Sequence, residues 1–435
     1  MKKIETEIVV IGAGLAGTAA ALAAVKSGRR VMVLGRESGA SAMNSGALDI
    51  AADPGAIPAH PEKWSVDVRK NIEELLVRSP MHPYHLIGDS GEKILEEIKK
   101  ALALVFPGED HFLSGEPGRN RLVFNQLGTF KQTALTQARM LSFEDLSRIR
   151  KILLVDFSGF RDFDPDFFRR NFLHWTDCLG ARVELAIAQI STNGLSDKSS
   201  LENARWIEEN FEETLEKLKS AVKSSAAELV ILPPVIPVIH REELMTKLEQ
   251  EAGSKVRELL SFPPSVPGKR LGDYLQERLK QDGIERLMGK AAGFEANGQK
   301  IKSVLARCES EEVQISAAGF VLATGGFLAG GISKSESFKE EVFGLEVFCG
   351  SEPMGTIFTE KLTSARLTNP HPVFSVGLKV SPEMKPLDRD GRITYENLCA
   401  AGSVLSGANY IFDGSAAGAS LASGCKAGNI AAKSL

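Results

Sequence analysis

Ile8-Val9-Val10-Ile11-Gly12-Ala13-Gly14-Leu15-Ala16-Gly17 decides how this chain begins to fold. Apolar β-formers run into a G-x-G-x-x-G turn, and an Ala-rich stretch follows to Ser27. Gly12 suits the tight turn, Gly14 admits a phosphate to the backbone, and Gly17 lets the helix pack closely on the strand. A second strand, Val31-Met32-Val33-Leu34, resumes after a Gly28 stop. A helix N-terminus placed there aims unpaired N–H groups and a positive dipole end at a phosphate. Gly12, Ala13, Gly14, Leu15, Ala16 and Gly17 are therefore the first candidate cofactor-binding residues. Met1-Lys2-Lys3 followed by an apolar run also has the outline of a secretory leader, but Glu5, Glu7 and the strand–turn–helix punctuation argue against that reading.

Composition narrows the classes. With 435 residues the chain suits two or three domains with an ample core. A net charge of −4 and the lack of a basic block argue against nucleic-acid binding. The five cysteines are far apart and form no C-x-x-C pair, which argues against a metal or iron–sulfur site and fits a reducing cytoplasm. No stretch elsewhere has membrane-spanning length.

The 40 glycines cluster towards the two ends of the chain, around a middle of different character. Lys151 to Phe157 predicts a buried strand, and Asp164-Pro165 caps a helix through Leu179. A strand from Arg182 to Ile190, a charged amphipathic helix from Leu201 to Lys223 and a strand at Glu228–Leu232 follow. This β/α alternation predicts a second parallel or mixed sheet. The expected fold is α/β: a Rossmann-like flavin-binding domain of three layers (β-β-α) made from residues 1–150 and 285–435, with residues 151–284 inserted as an α/β cap or substrate domain. Lys300–Ala306 and Glu312–Ser316 read as antiparallel strands. Phe320-Val321-Leu322-Ala323-Thr324-Gly325-Gly326 reads as a parallel strand ending in a glycine turn, which adds Thr324 and Gly325 to the cofactor candidates.

Asn397 to Val404 repeats the strand-to-glycine-turn pattern, contributing Gly402 and Ser403. Asp413-Gly414-Ser415-Ala416-Ala417-Gly418-Ala419 opens a small-residue helix to about Lys433. Small side chains at Gly414, Ser415 and Ala416 would admit a flat ring, with the dipole end near its pyrimidine side.

This pattern resembles the fumarate-reductase-like class of flavoproteins, in which a segment like Gly39-Ala40-Ser41-Ala42-Met43-Asn44-Ser45-Gly46-Ala47 lies against the flavin. The resemblance makes Ser41, Asn44, Ser45 and Gly46 cofactor candidates. More narrowly, the chain resembles the B-subunit family of anaerobic glycerol-3-phosphate dehydrogenases. The matching segments include Ser45-Gly46-Ala47-Leu48-Asp49, His82-Pro83-Tyr84, Leu127-Gly128-Thr129-Phe130-Lys131 and Pro263 through Leu271. The resemblance implies an FMN protein working with two partners: the A subunit, which is a catalytic flavoprotein, and the C subunit, which is an iron–sulfur protein and the membrane anchor. That complex oxidises sn-glycerol 3-phosphate to dihydroxyacetone phosphate and sends electrons toward quinone. It implies a cytoplasmic protein, peripheral at the inner face of the cell membrane and attached only through its partners.

FMN or FAD is left open by the residues themselves. Dinucleotide sites usually end the second strand with a carboxylate that holds a ribose. Here Gly35-Arg36 follows Leu34, with Glu37 nearby, so a ribose hydroxyl would forgo a charge-assisted bond of roughly 1.5–3 kcal/mol. Arg36 could face a phosphate instead. This favours FMN, with FAD as the alternative because the full glycine turn suits a pyrophosphate. Alcohol oxidation also needs a base and a cation for the substrate phosphate. Lys131 and His371 are the catalytic candidates, His371 because it precedes the closing Gly377 strand. Lys269 and Arg270, and His82 and His85, are weaker candidates. The alternatives are a self-sufficient oxidoreductase acting on another small acid or alcohol, and a scaffold that has kept the fold without flavin.

Overall fold

A computed structural model of the chain describes residues 2–36, 39–56, 60–108, 111–191, 198–237, 239–354, 359–366 and 369–435. Its organising feature is a five-stranded parallel sheet. The strands lie side by side as Glu285–Leu287, Val31–Leu34, Ile8–Ile11, Gly319–Leu322 and Leu398–Ala400. In chain order this is 3-2-1-4-5, the doubly wound arrangement that puts a ligand site at the C-terminal strand ends. Ile8, Val9, Val10 and Ile11 are all buried, as a parallel strand covered on both faces requires.

The helix Leu15–Lys26 is buried on nearly every side. It runs against the C-terminal helix Ala416–Lys433 so closely that a Cβ on Gly424 would overlap the Ala16 carbonyl, and one on Gly428 that of Ala20. Alanine and glycine are there because two helix backbones occupy the space of side chains. A second sheet supplies the third layer. Lys2–Glu5 pairs in parallel with Glu312–Ser316, which continues antiparallel to Lys300–Arg307 and then Lys290–Asn297. Ile301, Val304, Val313 and Ile315 join the same core as Phe320 and Val321.

The middle of the chain forms a four-stranded, fully parallel sheet in the order Glu184–Ile190, Lys151–Phe157, Leu229–Leu232, Lys255–Glu258. Asp164 caps the helix Pro165–Cys178 by accepting from the Phe167 amide. The single helix expected over Leu201–Lys223 is two helices, Ser200–Glu209 and Phe211–Ser225. Asn210 leaves helical geometry between them while its side chain donates to the Trp206 carbonyl, the local competition that makes Asn a helix breaker. The second core gathers residues from Phe124 to Leu259, including Phe157, Phe168 and Phe172. The helix Val266–Gln281 instead sends Leu271, Leu275 and Leu279 into the first core.

Candidate functional site

The two glycine-rich ends of the chain meet. Gly12 takes φ +120°, and a Cβ there would overlap the Ala323 carbonyl, so the first turn and the Ala323–Gly326 turn pack backbone to backbone. Gly17 is equally constrained, by the Gly12 carbonyl. Gly402 (φ +78°) lies against Ala16, and its amide donates to Ser423 Oγ at 2.9 Å. At the start of the Leu15–Lys26 helix the Leu15 amide donates to Ser41 Oγ at 3.2 Å, tying the glycine turn to the next segment.

These turns open into a cavity of about 680 Å³, a volume suited to a cofactor. Gly12, Ala13, Gly14, Leu15 and Ala16 form its floor. Ser41, Asn44 and Ser45 line one wall, and Thr324, Gly325 and Ser403 another. Arg36 and Ala416 also line it. The remaining candidates shape the backbone and do not line the cavity. Gly17 and Gly402 have been described; Gly46 (φ +102°) packs against Met140, and Gly414 (φ +53°) against Ala52. Ser415 is fully buried, and its hydroxyl meets His82 Nε2 at 3.0 Å.

His82 is therefore part of the frame. Its Nδ1 accepts from the Tyr84 amide at 3.1 Å, so the ring proton sits on Nε2 and is donated to Ser415. Burial pushes its pKa down to about 3, which keeps the ring neutral. Tyr84 donates to the Ile50 carbonyl at 2.5 Å and lies under Gly418.

The N-terminus of the Ala416–Lys433 helix differs from expectation in one respect. The Ala417 and Gly418 amides both donate to the Asp49 carbonyl, at 3.1 and 3.0 Å. Those two N–H groups are spent within the protein, so they are not free to donate to a ligand.

Of the catalytic candidates, Lys131 lies behind the cavity wall. Its ammonium contacts Asp49 Oδ2 at 2.7 Å, and Asp49 itself lines the cavity. His371 is outside the lining. Its Nδ1 accepts from the Ser364 amide at 3.1 Å and its carbonyl accepts from Asn409, so it braces the loop that carries Phe374. Lys269 is exposed and paired with Asp273, and Arg270 is buried against Glu258. His85 is exposed near the Leu76 carbonyl. Glu37 lies outside the described residues.

Sequence reasoning missed Asp49, Lys290, Glu341, Phe374, Val376, Tyr410 and Ile411, all of which line the cavity. Asp49 stood within a quoted motif but with no partner in sequence; its partner Lys131 is 82 residues away. Tyr410 has its phenol pKa raised by burial and neighbouring Asp413, whose own carboxyl is pushed up to about 6 by burial.

The cavity residues fit a flavin. Gly12, Gly14, Gly325 and Gly326 present bare main chain in the lining, and Thr324 Oγ1 is buried without a hydrogen-bond partner among the described residues. The lining reaches beyond the glycine turn to Leu34, Gly35 and Arg36, beside Gly289–Ala291. No cluster of metal-binding side chains occurs among the described residues, and none of their helices is long and apolar enough to cross a membrane.

Comparison with known proteins gives this geometry a family. Residues 7–420 match the FAD binding domain family. The B subunit of the anaerobic glycerol-3-phosphate dehydrogenase of Aliivibrio fischeri (strain ATCC 700601 / ES114) is 25% identical over 96% of this chain and 93% of its own. The protein of the same name from Vibrio cholerae serotype O1 (strain ATCC 39315 / El Tor Inaba N16961) is 26% identical over 96% and 94%. Among solved structures, 3-ketosteroid delta1-dehydrogenase from Sterolibacterium denitrificans aligns over 99% of this chain and 100% of its own, at 12% identity and a TM-score of 0.45. The motif resemblance to the B-subunit family thus extends through nearly the whole chain. The chain belongs to the FAD binding domain family and is a flavin-dependent oxidoreductase.

Proposed function

We propose that this chain is a flavin-bearing member of an anaerobic glycerol-3-phosphate dehydrogenase complex. The observation that carries the reading is the near end-to-end likeness to the B subunits of such enzymes, in a chain whose two glycine turns converge on one flavin-sized cavity. The complex would oxidise sn-glycerol 3-phosphate to dihydroxyacetone phosphate and pass electrons toward quinone. Its other members are a catalytic flavoprotein and an iron–sulfur protein that anchors the assembly at the cytoplasmic face of the membrane.

The cavity favours FAD over FMN. Its extension past the glycine turn to Arg36 and Lys290 matches the adenosine half of a dinucleotide, which a mononucleotide would leave unfilled. Gly12–Ala16 would hold the pyrophosphate, and Thr324, Ser403, Phe374, Val376, Tyr410 and Ile411 would supply the remaining walls of the cofactor site. The flavin, when bound, supplies the oxidant for the carbinol carbon. The four-stranded sheet between Lys151 and Glu258 would serve as the cap domain, while helix Val266–Gln281 packs into the first core.

Two measurements test this. Heat release of the bound cofactor and chromatography should give FAD; recovery of FMN alone reverses the cofactor assignment. Anaerobic addition of sn-glycerol 3-phosphate to the complex, purified natively with its partners, should bleach this chain's flavin; bleaching of the isolated chain would favour a self-sufficient oxidoreductase, and bleaching of the complex by another small alcohol or acid alone would reassign the substrate.

A further inference from the structure

We infer that Glu341 is the carboxylate that accepts hydrogen bonds from the adenosine ribose of FAD, doing from a later loop what the end of the second strand usually does in dinucleotide sites. The inference rests on the FAD reading above and supplies the acceptor missing after Leu34, where Gly35-Arg36 stands. Three observations carry it. Glu341 lines the same cavity as Leu34, Gly35 and Arg36. It is tied to that part of the wall through Lys290, whose Nζ is 3.9 Å from Glu341 Oε2. Lys290 follows shortly after Leu287, which sits opposite Leu34 and accepts from the Gly35 amide at 3.1 Å. The Glu341 carboxylate is also available to a ligand. Its Oε1 accepts from Ser333 Oγ, its Oε2 receives no hydrogen bond from the described residues, and the side chain keeps 25% of its surface exposed.

The main chain holds this group in place. The Glu341 amide donates to the Gly331 carbonyl at 3.1 Å, and a Cβ on Gly331 would overlap the Gly325 carbonyl, so the loop is seated on the cavity's own glycine turn. Beside it, the fully buried Glu340 carboxylate accepts from the Val342 and Phe343 amides, both at 2.8 Å. Other groups of the lining are poorer acceptors. Arg36 and Lys290 are cations, which only donate. Asp49, the second carboxylate of the lining among the described residues, has Oδ1 buried and Oδ2 engaged by Lys131. A carboxylate repels phosphate and accepts from hydroxyls, which selects the ribose of the adenosine half.

The test uses the natively purified full chain, stripped of flavin. The probes are FAD and a synthetic FAD whose adenosine ribose lacks both hydroxyls, and Kd is read from the change in flavin fluorescence. In wild type the analogue should bind about 10–100-fold more weakly than FAD, the span of hydrogen bonds to a charged group. Glu341→Ala should weaken FAD by a similar factor while leaving the analogue within about 2-fold, so that the two probes bind alike. Glu341→Gln, which keeps the shape of the side chain, should reduce the preference for FAD without abolishing it, and it decides the matter if Glu341→Ala does not fold. Three results overturn the role of Glu341 alone: variants that weaken both probes equally, a wild type that binds the analogue as tightly as FAD, or a preference for FAD abolished by Glu37→Gln and kept in the Glu341 variants. A flavin-stripped wild-type protein that takes up FMN and not FAD overturns the FAD reading and this inference together.

Discussion

The two cores of this molecule are built from opposite materials. Around the cofactor cavity, glycine and alanine dominate: Gly12, Gly17, Gly424 and Gly428 each sit where a Cβ would strike another backbone. In the middle segment the core is aromatic and aliphatic, with Phe157, Phe168 and Phe172 fully buried. The second core gains stability from area removed from water, which many side-chain combinations supply. The first trades that area for close backbone approach, because a phosphate and a flat ring need main-chain amides and open space. The two are joined by a buried ionic cluster. Glu258 Oε2 accepts from Arg241 and Arg270 at 3.1 and 2.7 Å, and Arg270 also donates to Gln137 at 3.0 Å. Gln137 donates to the Pro267 carbonyl, and Ser265 in the same loop donates to the Asn44 carbonyl in the cavity wall.

The sharpest test of this contrast is Gly12→Ala. Backbone overlap and a strained φ together should cost about 4 kcal/mol and abolish flavin retention, read by urea unfolding and by the absorbance of the purified protein. Phe172→Ala should cost a similar or slightly smaller amount, about 3–4 kcal/mol, through its cavity. The fraction that remains folded should still bind flavin; loss of flavin without loss of stability would show that the two cores are not separable in this way.

An effect of about 2 kcal/mol is expected from pH. His82 titrates near 6.5 when unfolded and near 3 when folded, so its contribution is complete above pH 6.5 and declines as pH falls below it. Between pH 6.5 and 4.5 the loss approaches about 1.4 kcal/mol per unit, and His82→Gln should flatten it in urea titrations. Asp413, raised to about 6 by burial, works in the opposite sense: the native state gains relative stability as pH falls from 6 toward 4. The comparison is therefore cleanest in an Asp413→Asn background. The smallest effect is Gly28→Ala. This glycine has φ +82° but nothing within 4 Å of a Cβ, so only the left-handed backbone is penalised, by about 1 kcal/mol, with flavin content unchanged. A loss comparable to that of Gly12→Ala would show that conformation, and not close approach, governs the small-residue core.

Much of this was legible in sequence. The strand–turn–helix at Ile8–Lys26, the parallel strand at Gly319–Leu322 and the C-terminal helix follow from short-range patterns of apolar residues and glycine. Most of the glycine-turn candidates line the cavity for the same reason. The break at Asn210 was hidden because the amphipathic pattern runs through it, while one side chain's hydrogen bond ends the helix. Arg36 marks a point where local reading and cavity shape diverge: the missing carboxylate favoured a mononucleotide, and the length of the cavity favours a dinucleotide.

By itself the sequence determined the class of fold, the glycine turn and the family, because each is encoded in residues adjacent along the chain. Only the tertiary structure decided which groups share the cavity. It set Asp49 against Lys131, turned His82 inward to Ser415, and placed His371 outside the lining. The physical reason is range: backbone conformation is settled within a few residues, whereas the company a side chain keeps depends on how distant segments pack.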